Sequence, residues 1–334
     1  MSEPSKEWKE VIAPDESDRF EGYAKILESM QKALAAKRGV KRALHAKSLG
    51  GARATLTINS DLPAHARVGL FAQATTFDAL VRFSNGSGAS QSDRKTDIRG
   101  LAIKVMGVPG KKIIPGLESA TTQDLLLIHG AVTPFRTSSE FIFFVNAARR
   151  PLTLLPRVIG HFGFFRTLRI LKTFNQRFGG KVGSLAEQRF WSAVPIRMGD
   201  YAVKVSAKPL APATTAMKPG SDYLAEDLAD RLARGPIEYD LMLQFFCDEQ
   251  KTPIEDASVE WLESDSPFVT VARLTLPQQD LRSEEGKALA KRIEGMSFDP
   301  WHALEEHRPL GDVMRARNPA YRISTQLRQA SVET

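Results

Sequence analysis

Residues 237–247 read Ile-Glu-Tyr-Asp-Leu-Met-Leu-Gln-Phe-Phe-Cys and give the clearest strand pattern in the chain. Alternate positions are apolar and would share one face of an extended chain: Ile237, Tyr239, Leu241, Leu243, Phe245 and Cys247. The opposite face would carry Glu238, Asp240 and Gln244. This alternation with a period of two predicts a strand with one face in a core.

Further strand patterns lie on both sides of this one. Residues 268–276 repeat the pattern, and shorter runs occur at 54–58, 80–84, 98–105 and 201–207. Turn-forming residues such as Asn85-Gly86-Ser87-Gly88 separate them. Because the strands cluster without regular alternation with helices, we predict an α+β fold: an antiparallel β-barrel with appended helices.

Helical spacing occurs in three places. Apolar residues from Phe20 to Leu34 recur at helical intervals before Gly39. A second helix is predicted over 221–234, and a short one over 184–191 from a capping box of Ser184 and Glu187. We divide the chain into an N-terminal helical arm, 1–40, and a domain, 41–334.

Composition narrows the class of protein. Of 334 residues, 42% are hydrophobic, enough for a sizeable core. The single cysteine, Cys247, rules out an internal disulfide and a cysteine-rich zinc site. The chain has no Walker A loop, no GxGxxG and no HExxH motif. Residues 1–18 are charged and have no apolar stretch like that of a secretory signal, so we expect a cytoplasmic protein.

The positive charge is concentrated in one segment. The net charge is +7, yet no acidic residue lies between Glu140 and Glu187, and eight basic residues do. We treat 148–182 as a basic helical insertion. Within it, 148–174 mixes Phe and Leu with basic residues at helix-like spacing, which fits either peripheral membrane contact or a packed helix with a solvated basic face. No recognition motif for nucleic acid accompanies it.

Four short motifs occur in a characteristic order. They are Arg42-Ala43-Leu44-His45-Ala46-Lys47, Val81-Arg82-Phe83-Ser84, Asp97-Ile98-Arg99-Gly100-Leu101-Ala102-Ile103-Lys104, and Arg317-Asn318-Pro319-Ala320-Tyr321 followed by Arg328. In order and spacing they resemble the core of the catalase superfamily, across roughly residues 40 to 330. The length of the chain is most similar to that of the small catalase-related haem peroxidases.

The resemblance implies haem b, placed between the barrel and the C-terminal helix, and a role for each matching residue. Tyr321 would be the iron ligand, with Arg317 beside it. His45 would be the acid–base group on the other haem face, oriented by Ser84. Arg42, Arg82 and Arg328 would bind the haem propionates, and Phe141 matches an aromatic residue of the haem pocket.

These residue types suit that chemistry. A phenol is a poor ligand until it is ionised, and a guanidinium that donates to it favours the charged form. Residues four apart share a helix face, so Arg317 can reach Tyr321. An imidazole can take a proton from a peroxide and return it to the leaving oxygen. Arginine has the fork geometry that carboxylates accept.

The chain departs from the family pattern at the distal asparagine. Aligning Asp124 and Arg136 with the corresponding family stretch puts Ile128 or His129 at that position. His129 would then either act as a polar substitute in catalysis or point away from the haem. Since the asparagine helps to hold small polar molecules, we expect slow release of oxygen from hydrogen peroxide.

Proline within the ligand motif affects where its helix begins. Proline is tolerated at the first position of a helix and unfavourable further in. We therefore expect the helix to start near Pro319, with Asn318 as its N-cap and Arg317 just outside it.

Three functions remain open on sequence alone. The first is a haem peroxidase with catalase-like chemistry that reduces hydrogen peroxide or organic hydroperoxides. The second is a fatty-acid hydroperoxide isomerase or lyase resembling allene oxide synthases, although Leu44 stands where those enzymes tend to have threonine. The third is a non-catalytic haem-binding protein, against which the retained His45 argues. A homodimer is left open.

Overall fold

A computed structural model describes residues 3–39, 41–212 and 220–333. Within these ranges nine strands form one antiparallel sheet: β1 (Lys47–Ile58), β2 (Thr76–Asn85), β3 (Arg99–Val105), β4 (Gln123–Ile128), β5 (Phe190–Trp191), β6 (Ile196–Met198), β7 (Tyr201–Pro209), β8 (Ile237–Phe245) and β9 (Phe268–Leu276). The described helices are α1 (Glu16–Arg38), α2 (Ser138–Ala148), α3 (Leu154–Phe162), α4 (Phe164–Phe178), α5 (Tyr223–Arg234), α6 (Glu284–Gly295) and α7 (Asp312–Arg328).

The sheet closes into a barrel of eight strands. The short strand β5 pairs with β4 on one side, Ile128 opposite Trp191, and with β7 on the other, Trp191 opposite Ser206. Strands β7, β8, β9, β1, β2, β3 and β4 complete the ring, and β6 pairs with β7 outside it. The predicted antiparallel β-barrel with appended helices is confirmed.

Alternation along the strands separates the barrel interior from the outer face. On β2, Ala79, Val81 and Phe83 belong to the main core inside the barrel. Leu80, one position away, packs instead in a smaller cluster with Ile293 of α6. The outer face of β2, β3 and β4 is therefore covered by α6 and the residues that follow it.

Several helices predicted from the sequence are present in the structure at the expected residues. Helix α1 ends at Arg38, and Gly39 follows with a φ of 74°, a backbone conformation that glycine adopts easily. Leu224, Leu228 and Leu232 of α5 are fully buried on one face. In the described part of the chain no helix has the length and apolarity needed to cross a membrane.

The predicted helix over 184–191 is wrong. Only a 3-10 turn, Leu185–Glu187, forms there before β5. Ser184 does accept a hydrogen bond from the backbone N–H of Ala186, but its hydroxyl donates to Asp227 at 2.5 Å. Glu187 is bonded to Arg231 of α5 and not to the start of a helix. Both residues predicted to form the capping box are instead bonded to side chains of α5, Ser184 to Asp227 and Glu187 to Arg231.

A buried ion pair holds the outer face of β3 against β4. Lys104 Nζ lies 2.6 Å from Asp124 Oδ1, and both side chains are fully buried. The other carboxylate oxygen accepts the backbone N–H of Asp299 at 2.8 Å. Burial raises the pKa of Asp124 to about 6, although Lys104 acts in the opposite direction. The pair thus joins two strands to the segment before α7.

Lys104→Met should lower the free energy of unfolding by about 3–5 kcal/mol, because Asp124 is left buried without its partner. Lys95→Met is the control, since Lys95 is exposed, and should change stability by no more than about 0.5 kcal/mol. Urea unfolding of both variants measures the difference. Equal losses for the two would contradict a structural role for the pair.

Candidate active site

His45 lies in the loop before β1, on the outer face of the barrel. Its backbone φ is 55°, a left-handed conformation that costs a non-glycine residue roughly 1–2 kcal/mol. Two hydrogen bonds hold it there: its N–H donates to Gly86 O at 2.9 Å, and Arg82 Nη2 donates to its carbonyl at 2.9 Å. The strained backbone thus places the imidazole at a fixed position above β2 and β3.

The imidazole of His45 is held by Ser84 and rests on a glycine. His45 Nδ1 lies 2.9 Å from Ser84 Oγ, so Nε2 is the nitrogen available to a substrate. A Cβ on Gly100 would stand 2.8 Å from the ring, which explains why this strand position is glycine. Burial, and then the charges of Arg82, Arg317 and Arg42, lower the pKa of His45 to about 3. The ring is therefore neutral near pH 7.

Strand register decides which residue stands at the family's asparagine position. Ser84 pairs with Gly100, and Gly100 pairs with Ile128. Residues directly opposite each other in neighbouring strands share a face of the sheet. Ile128 therefore stands on the face of Ser84 and His45.

The catalytic role expected for His129 is not supported by this geometry. His129 is one residue beyond Ile128 and points to the other face. Its Nδ1 accepts the backbone N–H of Arg99 at 2.7 Å, and its ring packs edge-on against Phe178 at 5.3 Å. Burial lowers its pKa to about 4. Of the two candidates, the apolar Ile128 faces the site.

Three arginines far apart in sequence meet around one residue, Glu294. Arg42 Nη1 and Arg82 Nε donate to the two oxygens of Glu294, at 2.5 and 2.7 Å. Arg328 donates to the backbone carbonyl of Glu294 at 3.4 Å, and Arg42 to that of Met296 at 2.7 Å. Burial, and then Arg82 and Arg328, hold the pKa of Arg42 well below its usual range.

Helix α7 carries Arg317 and Tyr321 on one face. Arg317 Nη2 donates to the Tyr321 hydroxyl at 2.7 Å, the contact expected of residues four apart on a helix. The guanidinium carbon also lies 5.0 Å from the centre of the tyrosine ring.

The predicted start of this helix near Pro319 is wrong, because α7 begins at Asp312 and Pro319 lies inside it. Glu255 accepts the backbone N–H of Asp312 at 2.7 Å. In the first turns Arg315 is paired with Glu10, Glu16 and Glu255. These contacts outweigh a cost of about 3 kcal/mol for proline inside a helix. Arg317 is consequently helical, and its geometry toward Tyr321 is well defined.

The two halves of the site lie within electrostatic range of each other. The charge of Arg317 contributes to the lowered pKa of His45. Tyr321 interacts with both Arg42 and Arg328. Phe141 is different: it stands on α2, and its described ring contact is with Phe135 at 5.8 Å rather than with His45 or Tyr321. The structure thus brings together seven of the nine residues named from the sequence. His129 points to the other face, and the place of Phe141 in the haem pocket stays a prediction.

Comparisons with known proteins show what this chain is similar to. No family model matches the chain. A catalase-related peroxidase of Mycolicibacterium paratuberculosis is 28% identical over 270 residues, which cover 76% of this chain and 79% of that protein. In sequence the chain is thus similar to a member of the catalase-related peroxidases.

Solved catalases share the fold of this chain. A fungal catalase matches with a TM-score of 0.68 and 19% identity, covering 100% of this chain and 67% of its own. Catalase A from Saccharomyces cerevisiae matches with a TM-score of 0.67 and 17% identity, covering 99% and 68%. The chain thus spans about two thirds of each catalase. These catalases show the fold, and the similarity to the catalase-related peroxidase supports the prediction of an oxidoreductase enzyme.

Sequence reasoning missed two residues of the candidate site, Gly100 and Glu294. Gly100 was quoted within a motif, but its role appears only when His45 is seen above it. No sequence pattern indicates Glu294, because it lies more than two hundred residues from Arg42 and Arg82, whose guanidiniums donate to its carboxylate. Only the tertiary structure identifies such a residue.

Gly100→Ala should displace the His45 ring, because the added methyl would stand 2.8 Å from it. Once the ring reaches solvent, its pKa should rise from about 3 toward its ordinary value of 6.5. Nuclear magnetic resonance titration of the histidine Cε1 proton measures this, with His45→Ala assigning the signal. Gly160→Ala is the control, since a methyl there meets no atom within 4 Å. An unmoved His45 titration in Gly100→Ala would show that the contact is not restrictive.

Proposed function

We propose that the protein binds haem b between the outer face of β2–β4 and α7, and uses it as a peroxidase with catalase-like chemistry. The observation that carries the proposal is the hydrogen bond from Arg317 to the Tyr321 hydroxyl, on a helix within electrostatic range of His45. The family relationship supports the same assignment.

The residues present fit a haem with two carboxylates. The guanidiniums of Arg42 and Arg82 share the carboxylate of Glu294, and that of Arg328 donates only to the backbone carbonyl of Glu294, so two of the three positive charges remain uncompensated. Two propionates would neutralise them through charge-assisted hydrogen bonds. Arg328 Nε is buried and has no hydrogen-bond partner among the described residues, as expected of a donor reserved for a ligand.

Tyr321 would bind the haem iron, and Arg317 would support it. The phenolate oxygen of Tyr321 would hold the iron, and tyrosinate is the ligand type that catalase uses. Arg317 donates to that oxygen and stabilises its negative charge. When bound, the haem supplies the redox chemistry by which peroxide oxygen is reduced.

His45 would transfer the proton of the peroxide. Its ring is neutral, so Nε2 can accept the proton of a peroxide and deliver it to the leaving oxygen. Ser84 holds the opposite nitrogen and keeps the ring in one orientation. Reduction of the peroxide by two electrons and two protons then yields two waters from hydrogen peroxide, or one alcohol and one water from an organic hydroperoxide, and a reducing donor supplies the electrons. This geometry argues against a merely haem-binding protein.

Ile128 makes the pocket less suited to hydrogen peroxide as a reductant. Catalase turnover needs a second hydrogen peroxide to be held near the oxidised centre, and an apolar side chain offers it no hydrogen bond. The same side chain favours an organic hydroperoxide, whose alkyl part it can contact. Isomerisation or cleavage of a fatty-acid hydroperoxide is therefore the second candidate function, favoured by Ile128 on the face of His45.

Tyr321→Phe should lose the absorption bands of a tyrosinate-ligated ferric haem, or lose the haem, because phenylalanine cannot ligate iron. Tyr201→Phe is the matched control: Tyr201 lies on β7 and its ring contacts His65 and Phe245. Visible spectra of both purified variants with haem added decide the matter. A Tyr321→Phe protein with the haem content and spectrum of the parent would overturn the assignment.

Ile128→Asn should raise oxygen release from hydrogen peroxide by about tenfold, the worth of one hydrogen bond of about 1.4 kcal/mol in the transition state. His129→Asn places the same amide one residue further on, facing away from His45, and should not raise it. An oxygen electrode measures both variants. Fast, catalase-level evolution by the unmodified protein, or an increase in His129→Asn alone, would contradict the placement of Ile128.

A further inference from the structure

Helices α3 and α4 form a hairpin that exposes an unusual amount of apolar surface. We call residues 149–178 the basic hairpin. Ten large apolar side chains are exposed in the described part of the chain, and six of them belong to this hairpin: Leu152, Leu155, Phe164, Phe165, Leu168 and Leu171. Leu152 is 97% exposed and Phe165 85%. Large exposed apolar patches in folded proteins mark interaction surfaces.

The exposed residues of α4 lie on a face distinct from the one that packs on the protein. Thr167, Ile170 and Phe178 are buried at helical spacing, and the Thr167 hydroxyl donates to Val158 O of α3 at 3.3 Å. Phe164, Leu168 and Leu171 are spaced by four and three residues and form a separate stripe. The helix therefore has one packed apolar face and a second apolar face without a described partner.

Basic side chains accompany this apolar stripe. Two of the hairpin's cations are paired, Arg166 with Glu140 and Arg177 with Glu260. For the others, Arg149, Arg150, Arg157, Arg169 and Lys172, no ion pair is seen within residues 3–39, 41–212 and 220–333. Arg169 and Lys172 are exposed on α4, one residue beyond Leu168 and Leu171.

Three of these arginines surround one depression. Arg149, Arg150 and Arg157 line it together with Asn146 of α2. Guanidiniums converging on one open space fit the phosphate of a headgroup, because they donate in pairs to its oxygens. Leu152 and Leu155 lie between these arginines in the sequence, so apolar and phosphate-binding groups alternate along the same short segment.

We propose that the basic hairpin docks on the surface of an anionic lipid bilayer, with its exposed Phe and Leu side chains in the interfacial region and its cations on lipid phosphates. Exposed aromatic and leucine side chains beside uncompensated arginine and lysine are the combination that interfacial helices use. A second copy of the chain is a poorer partner, because this surface carries no acidic residue to oppose its own cations. The inference does not depend on the bound cofactor.

Co-sedimentation of the full chain with vesicles tests the proposal. The protein should pellet with vesicles of equal parts phosphatidylcholine and phosphatidylglycerol, bind phosphatidylcholine alone far less, and be released by salt. Phe165→Ser/Leu168→Ser should weaken binding by about tenfold or more, since two apolar side chains lose their burial. Arg169→Glu/Lys172→Glu should weaken it on anionic vesicles only.

Matched control variants carry the same kinds of substitution at exposed residues outside the basic hairpin. Leu210→Ser/Leu262→Ser alters two other exposed leucines, and Lys95→Glu/Lys111→Glu reverses two other exposed charges. Both should bind as the parent does. The proposal is overturned if the parent fails to bind anionic vesicles at low salt, or if hairpin and control variants lose binding equally. A parent dimer that Phe165→Ser/Leu168→Ser converts to monomers, by analytical ultracentrifugation, would assign the face to a second copy instead.

Discussion

The two faces of strands β2, β3 and β4 impose the main constraint on this molecule. Each strand gives alternate residues to the barrel core and to the outer face, so a shift of one residue would exchange the two sets. Val81 and Phe83 fill the barrel, and Arg82 and Ser84 between and beyond them face the candidate site. The closed barrel therefore determines which side chains can reach a ligand on its outside.

Helix α7, which carries Tyr321, is held in place by charged contacts in its first turns. Arg315 joins three carboxylates, two of them from the N-terminal region and one from the loop after β8. Removing one partner of such a buried network leaves charges uncompensated, so the network specifies one position for the helix. The placement of Tyr321 thus depends on residues that never contact it.

Local patterns predicted the fold well, because alternation and helical spacing report burial directly. The strand at 268–276 and the helix ended by Gly235 follow from such patterns. The motif order likewise predicted His45, Ser84, Arg317 and Tyr321 as one site. The failures have a common cause: Pro319 and the Ser184–Glu187 pair were judged by local rules, whereas long-range partners decided both. Neither could a single sequence choose between Ile128 and His129, since only the pairing of β3 with β4 sets the register.

Ile128 and the three arginines together suggest why the chain keeps some family features and has lost another. In the proposed function, the arginines, Tyr321 and Arg317 would meet the requirements of a large anionic ligand, and each has a partner or an uncompensated charge that such a ligand would satisfy. His45 and Ser84 would serve proton transfer, which any peroxide requires. Ile128 alone concerns the part of the substrate beyond the reacting oxygens. A change confined to that position leaves cofactor binding and O–O cleavage intact and alters only which molecule fits beside His45. The proposed docking of the basic hairpin on a bilayer also favours an organic hydroperoxide as substrate, because a protein at a lipid surface meets hydroperoxides that carry alkyl chains.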